Sequence, residues 1–583
     1  MSMKKSVLVI FGGDFPLKKK EWWSQFNVVV APKQFEDLIR KYDSQFVDVG
    51  ELLDSGNIRE ASELLTQLSL VDTSDGRKIS KVVTHEGYEL WWIYYGDLMQ
   101  KFCIPYTQYK RLLEYLKDFS QITLSAPPYA ALFKYFFDSY GNKYSILNES
   151  QKNILPIGVL IQGIISLPFL LWIKIRGPKL MVWTSDQFDK NGDYDFRMKI
   201  IYEELRKKKI NFVEFVRSME PTSIVLKHAI KRKRPVIYSG AIIVIAQYLS
   251  SFFNGKEKKE ILALSPVMGS DPNQVFLFKV STGYLSQTLG TIWSIKTLKL
   301  FLKFIGIKAA IINDSTSRNF HEGLACKLLN IKTVGIQHGA SLKYTLVSDF
   351  TPGFNGNKYL SVDKFGLWSE WWREYYIKNS KAYKPEQLYV SGHMRPLEKS
   401  AVFSKQNTRA LSGGRIKVLF VSEQMSDPKE VLPYLEALVG DNDICLFVKF
   451  RFYGDGFEKW LKNDRPDILE KIDKSRILRG SMHEAISKCD VVVGSHSTGV
   501  LEASLQLKLP IFFITKKWGD YFELSSFNKN YSFIADNPHN LLNMIKKSDN
   551  IPLDVLKDLR CRFFGDPYRN GSKWVVEEVE KLL

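Results

Sequence analysis

The stretch Asp490-Val491-Val492-Val493-Gly494-Ser495-His496-Ser497-Thr498-Gly499-Val500-Leu501-Glu502-Ala503, followed by Leu509-Pro510-Ile511-Phe512-Phe513, decides how this chain is read. It has the pattern of a buried strand, a small polar turn, the opening of a helix and a second buried strand. The turn residues Gly494, Ser495, Ser497 and Thr498 are small, and three of them carry hydroxyls. A strand-to-helix turn aims free backbone N–H groups and the positive end of the helix dipole at one point, which favours a phosphate. His496 stands among them. Glu502 follows Thr498 by one helical turn on the same face. A carboxylate there can accept hydrogen bonds from both hydroxyls of a ribose. Together these features imply a nucleotide or nucleotide-sugar site. The plain alternative is a Ser/Thr-capped connection with a surface Glu.

At 583 residues the chain is too long for one core, and two or three domains are expected. Hydrophobic residues at 45% and charged residues at 25% place it among ordinary globular proteins. Cys103, Cys326, Cys445, Cys489 and Cys561 are scattered, with no CxxC pair. That pattern supports neither a disulfide framework nor a structural zinc site, and it fits a reducing cytosol. Near the start, Lys5-Ser6-Val7-Leu8-Val9-Ile10-Phe11 reads as a first strand and not as a signal peptide, because no small-residue cleavage site follows.

The formal charge of +19 admits nucleic acid, an anionic membrane surface or anionic substrates as partners. Nucleic acid fits poorly, since the charge is dispersed and the aromatics sit mostly in apolar strands and helices. A membrane fits better. Ile154 to Ile173 is uncharged throughout, with Lys152 before it and Lys174, Arg176 and Lys179 after it. Its length just crosses a hydrocarbon core. Yet Pro156, Pro168, Gly158 and Gly163 interrupt it, and a crossing would split one enzyme across the bilayer. An in-plane or re-entrant segment is therefore expected, with a pair of core helices as the alternative. The run Lys227, Lys231, Arg232, Lys233 and Arg234 suits acidic headgroups or a solvated loop equally.

Short apolar strands alternate with helices, which predicts α/β architecture with parallel sheets covered on both faces. An N-terminal domain is expected over 1–404, with the hydrophobic insertion at about 150–180. Its strands are read at Ser6–Phe11, Asn27–Val30, Lys179–Thr184, Asn211–Phe215, Pro235–Tyr238, Ala309–Ile312 and Thr333–Ile336. Ser404–Gly414 is polar and ends in glycines, as a linker does. A doubly wound domain over 415–550 follows, then a helical segment over 551–583. The ligand crevice of such a domain lies beyond the carboxyl ends of its strands, where the Ser495–Thr498 turn falls.

Thr333-Val334-Gly335-Ile336-Gln337-His338-Gly339-Ala340 is another strand running into a turn, preceded by Ala309-Ala310-Ile311-Ile312-Asn313-Asp314. A His at a strand's carboxyl end suits general base work, its ordinary pKa being about 6.5. A structural His bonded to a nearby loop is the competing reading. Asp314 and Asp186, on the same rim, are further candidate bases. In Gly392-His393-Met394-Arg395-Pro396, Arg395 offers a bidentate fork to a phosphate or is a hinge-side surface charge. Lys449 and Arg451 end a strand that points toward the same crevice, with a solvated strand end as the competing reading of Lys449.

These residues bring a family into view. Two doubly wound domains, a Ser/Thr turn with a downstream Glu, the Ile336-Gln337-His338-Gly339 turn and the Gly392–Arg395 segment resemble GT-B glycosyltransferases of bacterial surface polysaccharides. That group includes transferases of capsules and lipopolysaccharide and the related CDP-glycerol glycerophosphotransferases. The resemblance runs from about Ala309 to Ile514. It implies two Rossmann-like domains facing a central cleft, a C-terminal crossing helix, and a nucleotide donor on the second domain. By resemblance Glu502 holds the donor ribose, and Ser495, Ser497 and Thr498 its phosphates. His338 is then the base or an acceptor contact, with Gln337 and Gly339 on the acceptor side. No metal or other cofactor is implied. The chain departs from the family at Lys449-Phe450-Arg451-Phe452, where many relatives have Lys-x-His-Pro. It also has Gln-His-Gly where glycerophosphotransferases have Trp-His-Gly. The resulting expectation is a glycosyltransferase at the cytoplasmic membrane face, acting on a cell-surface glycan or lipid-linked acceptor. A CDP-polyol phosphotransferase on the same fold is the alternative.

Overall fold

The computed structural model describes residues 4–12, 20–23, 25–41, 44–147, 157–184, 197–218, 222–232, 234–266, 271–312, 320–343, 361–380, 382–397, 414–422, 426–451 and 455–583. Asp186, Asp314 and the linker up to Gly413 lie outside these residues.

Three parallel sheets follow one another along the chain. The first is built from β1 (Lys4–Ile10), β2 (Val28–Ala31), β3 (Gln45–Asp48), β6 (Phe119–Ser125) and β7 (Lys143–Leu147), in the order β3-β2-β1-β6-β7. A small antiparallel hairpin, β4 (Thr84–His85) with β5 (Tyr88–Glu89), stands apart from it. The second sheet contains β8 (Leu180–Thr184), β9 (Phe212–Val216), β10 (Val236–Tyr238), β11 (Ala309–Ile311), β12 (Lys332–Ile336), β13 (Lys364–Leu367) and β14 (Leu388–Val390). Its order is β10-β9-β8-β11-β12-β13-β14. The third contains β15 (Ile416–Val421), β16 (Ile444–Lys449), β17 (Ile477–Leu478), β18 (Val491–Gly494), β19 (Leu509–Phe513) and β20 (Ile534–Ala535), ordered β17-β16-β15-β18-β19-β20.

The stretch expected as one domain over 1–404 thus holds two sheets. Every strand read there forms, but β6 and β7 carry polar residues within their apolar pattern (FSQITLS and KYSIL), which disguises a separate sheet. The middle and C-terminal sheets are both doubly wound, and they meet through Ala340 and Thr498. The N-terminal sheet is an added unit.

The last helix, Gly571–Glu580, crosses back to the middle sheet. Its Val575, Val576 and Val579 are fully buried in one cluster with Leu180, Val182, Ile311, Val334 and Ile336. The helix before it, Leu553–Phe564, docks on the same domain: the Trp372 indole donates to the Phe563 carbonyl at 2.9 Å. Trp368 stacks on Phe564, with ring centroids 5.3 Å apart.

The N-terminal unit touches both partners. The Ile58 N–H donates to the Lys517 carbonyl of the C-terminal domain at 3.3 Å, and Ser55 donates to the Glu430 carboxylate. On the other side the Tyr94 hydroxyl meets His321 Nε2 at 2.9 Å and also accepts from Gln247. A 34-residue helix, Pro272–Ile305, opens with Asp271 accepting from Gln274 N and closes on left-handed Gly306. It packs on the N-terminal unit through Ser281, whose hydroxyl donates to the Leu68 carbonyl, and through Tyr284, which donates to the Trp91 carbonyl.

The Ile157–Arg176 helix is the one described helix long and apolar enough to cross a membrane, yet only 17% of its apolar window is buried. A pair of buried core helices is therefore not what forms. Of the basic run nearby, Arg232 and Arg234 are buried and bind Glu214 at 2.8 and 3.0 Å. They neutralise an internal carboxylate and so cannot serve acidic headgroups, as the sequence run suggested.

The crossing depends on Gly392. Its φ is +87°, and a Cβ there would lie 2.3 Å from the Arg569 carbonyl oxygen. Gly392→Ala is expected to cost about 2–3 kcal/mol through left-handed strain and this clash. The readout is a lower urea midpoint at unchanged slope. An unaltered midpoint would show that the crossing segment yields freely.

Candidate active site

The Ser495–Thr498 turn leaves the carboxyl end of β18, and β18 lies beside β15, where the sheet order reverses. Such switch points leave a crevice between diverging connections. Gly494 is needed there, because a Cβ would lie 2.6 Å from Val500 and 3.1 Å from the Val421 carbonyl. Ser495 Oγ sits 3.0 Å from Ser426 Oγ and 2.9 Å from His496 Nδ1. Ser426 precedes the Pro428–Gly440 helix, so the start of that helix and the turn share a hydroxyl network. The helix that follows the turn is shorter than expected. It makes one α turn, Thr498–Leu501, then a 3-10 segment, Glu502–Gln506, ending on left-handed Leu507.

The middle sheet meets this turn directly. The Ala340 N–H donates to Thr498 Oγ1 at 3.1 Å, and the Tyr521 hydroxyl donates to the Ala340 carbonyl at 3.3 Å. Ser497 accepts from Gly499 N at 3.2 Å. A hydroxyl that accepts an N–H keeps its own O–H to give, so Ser497 and Thr498 can still donate to an anion. His338 and Gly339 are half-buried on the rim beside this contact. Gln337 is different. It is buried, its Oε1 accepts from Trp368 N at 3.2 Å, and its carbonyl accepts from the Trp368 indole at 2.7 Å. It fixes the turn that presents His338.

Glu502 is 2% exposed. Its Oε1 accepts from Arg395 Nη2 at 2.8 Å, and Oε2 lies 3.6 Å from His483 Nε2. Burial works to raise its pKa, but Arg395, His393 and His483 outweigh that and hold it below the usual carboxylate value. Arg395 comes from the middle domain, so this ion pair spans the cleft floor. His393 lies behind it, with Nδ1 2.8 Å from the Arg395 carbonyl and its ring 4.6 Å from Trp368. Burial pushes His393 down to about 4, and it also lowers His483. His496 stacks on Trp518 at 3.8 Å. Burial, with Lys517 and Arg451 nearby, takes it well below its ordinary value.

Arg451 thus reaches the turn's electrostatic neighbourhood. Lys449 instead gives its ammonium to the Gly480 carbonyl, and burial lowers its pKa. The structure brings Gln337, His338, Gly339, Arg395, Ser495, His496, Ser497, Thr498 and Glu502 together. Asp186 and Asp314 fall outside the described residues. Sequence reading passes over His483, Trp518 and Tyr521, which no local motif marks. It also passes over the cluster role of His393, although His393 stands inside the Gly392–Arg395 segment.

No family model and no curated protein matches this chain. Solved structures do resemble it. MnaA from S. aureus in complex with UDP is 12% identical, covering 69% of this chain and 94% of its own, with a TM-score of 0.39. The UDP-GlcNAc 2-epimerase from Neisseria meningitidis bound to UDP-GlcNAc is 14% identical, covering 69% and 99%, with a TM-score of 0.39. The wall teichoic acid polymerase TagF is 12% identical, covering 78% and 97%, also at 0.39. The fold stands on the sheet orders and the crossing helix themselves.

The buried His393 makes stability fall with acid. Its folded pKa of about 4 lies below the unfolded value of about 6.5, so the unfolded chain takes up the proton first. This contribution is complete above about pH 6.5 and drains away toward pH 4. His393→Gln should flatten the stability–pH slope in that window by up to about 1.4 kcal/mol per pH unit, measured by urea unfolding. Equal slopes for both proteins would mean that His393 titrates normally.

Proposed function

We propose that this protein is a glycosyltransferase, moving a sugar from a nucleotide-activated donor to a cell-surface glycan or lipid-linked acceptor at the inner face of a membrane. The observation that carries the reading is the Ala340–Thr498 contact. It joins the His338 turn of one doubly wound domain to the Ser495–Thr498 turn of the other, at the carboxyl ends of both sheets.

In this reading the donor phosphates lie at the hydroxyls of Ser495, Ser497 and Thr498 and at the backbone N–H groups beyond them. The acceptor hydroxyl attacks the anomeric carbon while His338 takes its proton. The bond from that carbon to the phosphate oxygen breaks, and the nucleotide leaves with the electron pair. Hydroxyl donors and Arg395 stabilise the charge that develops there. Glu502 is paired with Arg395 before donor arrives. Ribose hydroxyls reach this carboxylate by displacing the guanidinium, which frees Arg395 to turn to the phosphates. The mechanism invokes no metal.

A thermal-shift panel of UDP, GDP, CDP and CMP tests the donor site. The cognate nucleotide at about 100 times its Kd should stabilise by about 2.7 kcal/mol, and the absence of any shift would sink the reading. His338→Asn should lower turnover about 10²–10⁴-fold with nucleotide binding retained. If the Asn variant keeps most of its activity, His338 positions the acceptor and is not the base. EDTA is expected to leave turnover unchanged, and activity lost to EDTA and restored by a divalent cation would put a metal in the mechanism. Release of CMP in place of a nucleoside diphosphate would make the reaction a polyol-phosphate transfer.

A further inference from the structure

A broad apolar area lies on the surface outside the cleft. On the Ile157–Arg176 helix Ile164, Leu171 and Ile175 are 62%, 68% and 76% exposed. The area continues onto Ile230 of the Thr222–Lys231 helix and onto Phe252 and Phe253 of the Ser239–Phe253 helix. Leu300 and Phe304, at the end of the long helix, extend it further.

These positions form one layer. Gly163 lets the first helix approach the third, since a Cβ there would lie 2.7 Å from that of Ala241. Gly158 faces Thr222 of the second helix in the same way. The Lys174 ammonium lies 4.1 Å over the Phe304 ring, and Phe253 stacks on Trp293 at 5.1 Å. A soluble surface seldom leaves so many large apolar side chains together, because each would gain from leaving water.

Charge selects the occupant. None of the four helices contains an Asp or Glu. Exposed Lys174, Arg176, Lys227, Lys231 and Lys303 edge the area. A second copy docking this face on itself would bring like charges together. An anionic lipid surface meets both the apolar centre and the basic margin.

The underside of the layer sets the depth. Ile165 and Phe169 pack on Val236 and Tyr238 of β10, and Ser166 Oγ accepts from Tyr238 N at 2.9 Å. Leaving the protein to span a bilayer would strip these contacts from the first helix.

We propose that the four helices form a single face that beds into one leaflet of an anionic bilayer without crossing it. This deepens the membrane placement proposed above and is independent of the nucleotide chemistry. The test is co-sedimentation of the full chain with phosphatidylcholine vesicles, with and without phosphatidylglycerol. The parent should pellet with the anionic vesicles. A variant carrying Ile230→Glu, Phe252→Glu and Phe253→Glu should partition more than about tenfold less, while its nucleotide-induced thermal shift stays that of the parent. These side chains are exposed, so the fold should survive their exchange. Lipids brominated at graded depths should quench Trp172 and Trp293 only from one leaflet. A variant that binds vesicles as the parent does overturns the proposal. So does a parent that ignores anionic vesicles, or quenching that reports a crossing. Vesicle binding without any nucleotide shift would leave this face standing and remove the transferase reading alone.

Discussion

Val575, Val576 and Val579 of the final helix, buried against the middle sheet, are the contact on which the cleft depends. Each contributes about 1.5–3 kcal/mol of gross burial. Their position matters more than their sum. They carry the end of the chain from the third sheet back to the second. With Trp372 holding the Phe563 carbonyl, they fix how the carboxyl ends of the two sheets confront one another. Gly571 makes the return tight, its N–H donating to the His393 carbonyl two residues before Arg395. The helix that closes the fold therefore also seats the arginine that crosses to Glu502.

The C-terminal sheet is legible because β15, β16, β18 and β19 are compact, largely buried apolar runs, and the first three are each followed by a helix with a polar opening. The first sheet is harder to separate. β3 is a short, half-polar edge strand, and the polar residues of β6 and β7 blur the run of apolar ones. The long helix has clear ends in Asp271-Pro272 and Gly306, but apolar residues surround it on every side and leave no single stripe to read. In the site, the turn, His338 and Arg395 are visible because small residues and charges stand at strand ends. The Arg395–Glu502 pairing is not. Its members lie 107 residues apart, and the sequence shows a carboxylate open to ribose where the fold supplies a guanidinium. Likewise Arg232 and Arg234 read as a solvated basic run until Glu214 folds beneath them.

The N-terminal unit meets the middle sheet on the side where its strand order reverses. In the middle sheet the order reverses between β8 and β11, the usual place for a ligand. Here the hydroxyl of Tyr94 reaches into that side of the sheet and meets His321, at the start of the helix after β11. Beside it Ser239, at the end of β10, donates to Glu322 at 2.6 Å. Burial, with Arg217 nearby, holds His321 well below its ordinary pKa. The N-terminal unit thus meets the middle sheet at His321, while the Ala340 turn after β12 and Arg395 after β14 meet the C-terminal domain.

Because the same unit also holds the C-terminal domain through Ile58, Ser55 and Arg59, the two facing domains are bridged twice, once by the crossing helix and once from outside. A pair joined by one bridge can hinge freely about it. A pair joined by two can widen only along directions that both bridges allow. Rotation about the crossing helix must slide Ile58 off the Lys517 carbonyl, close to the Trp518 ring that stacks on His496. Opening of the cleft is thereby coupled to loosening of the Ile58–Lys517 contact, which is separate from the one that Ala340 makes with the Ser495–Thr498 turn.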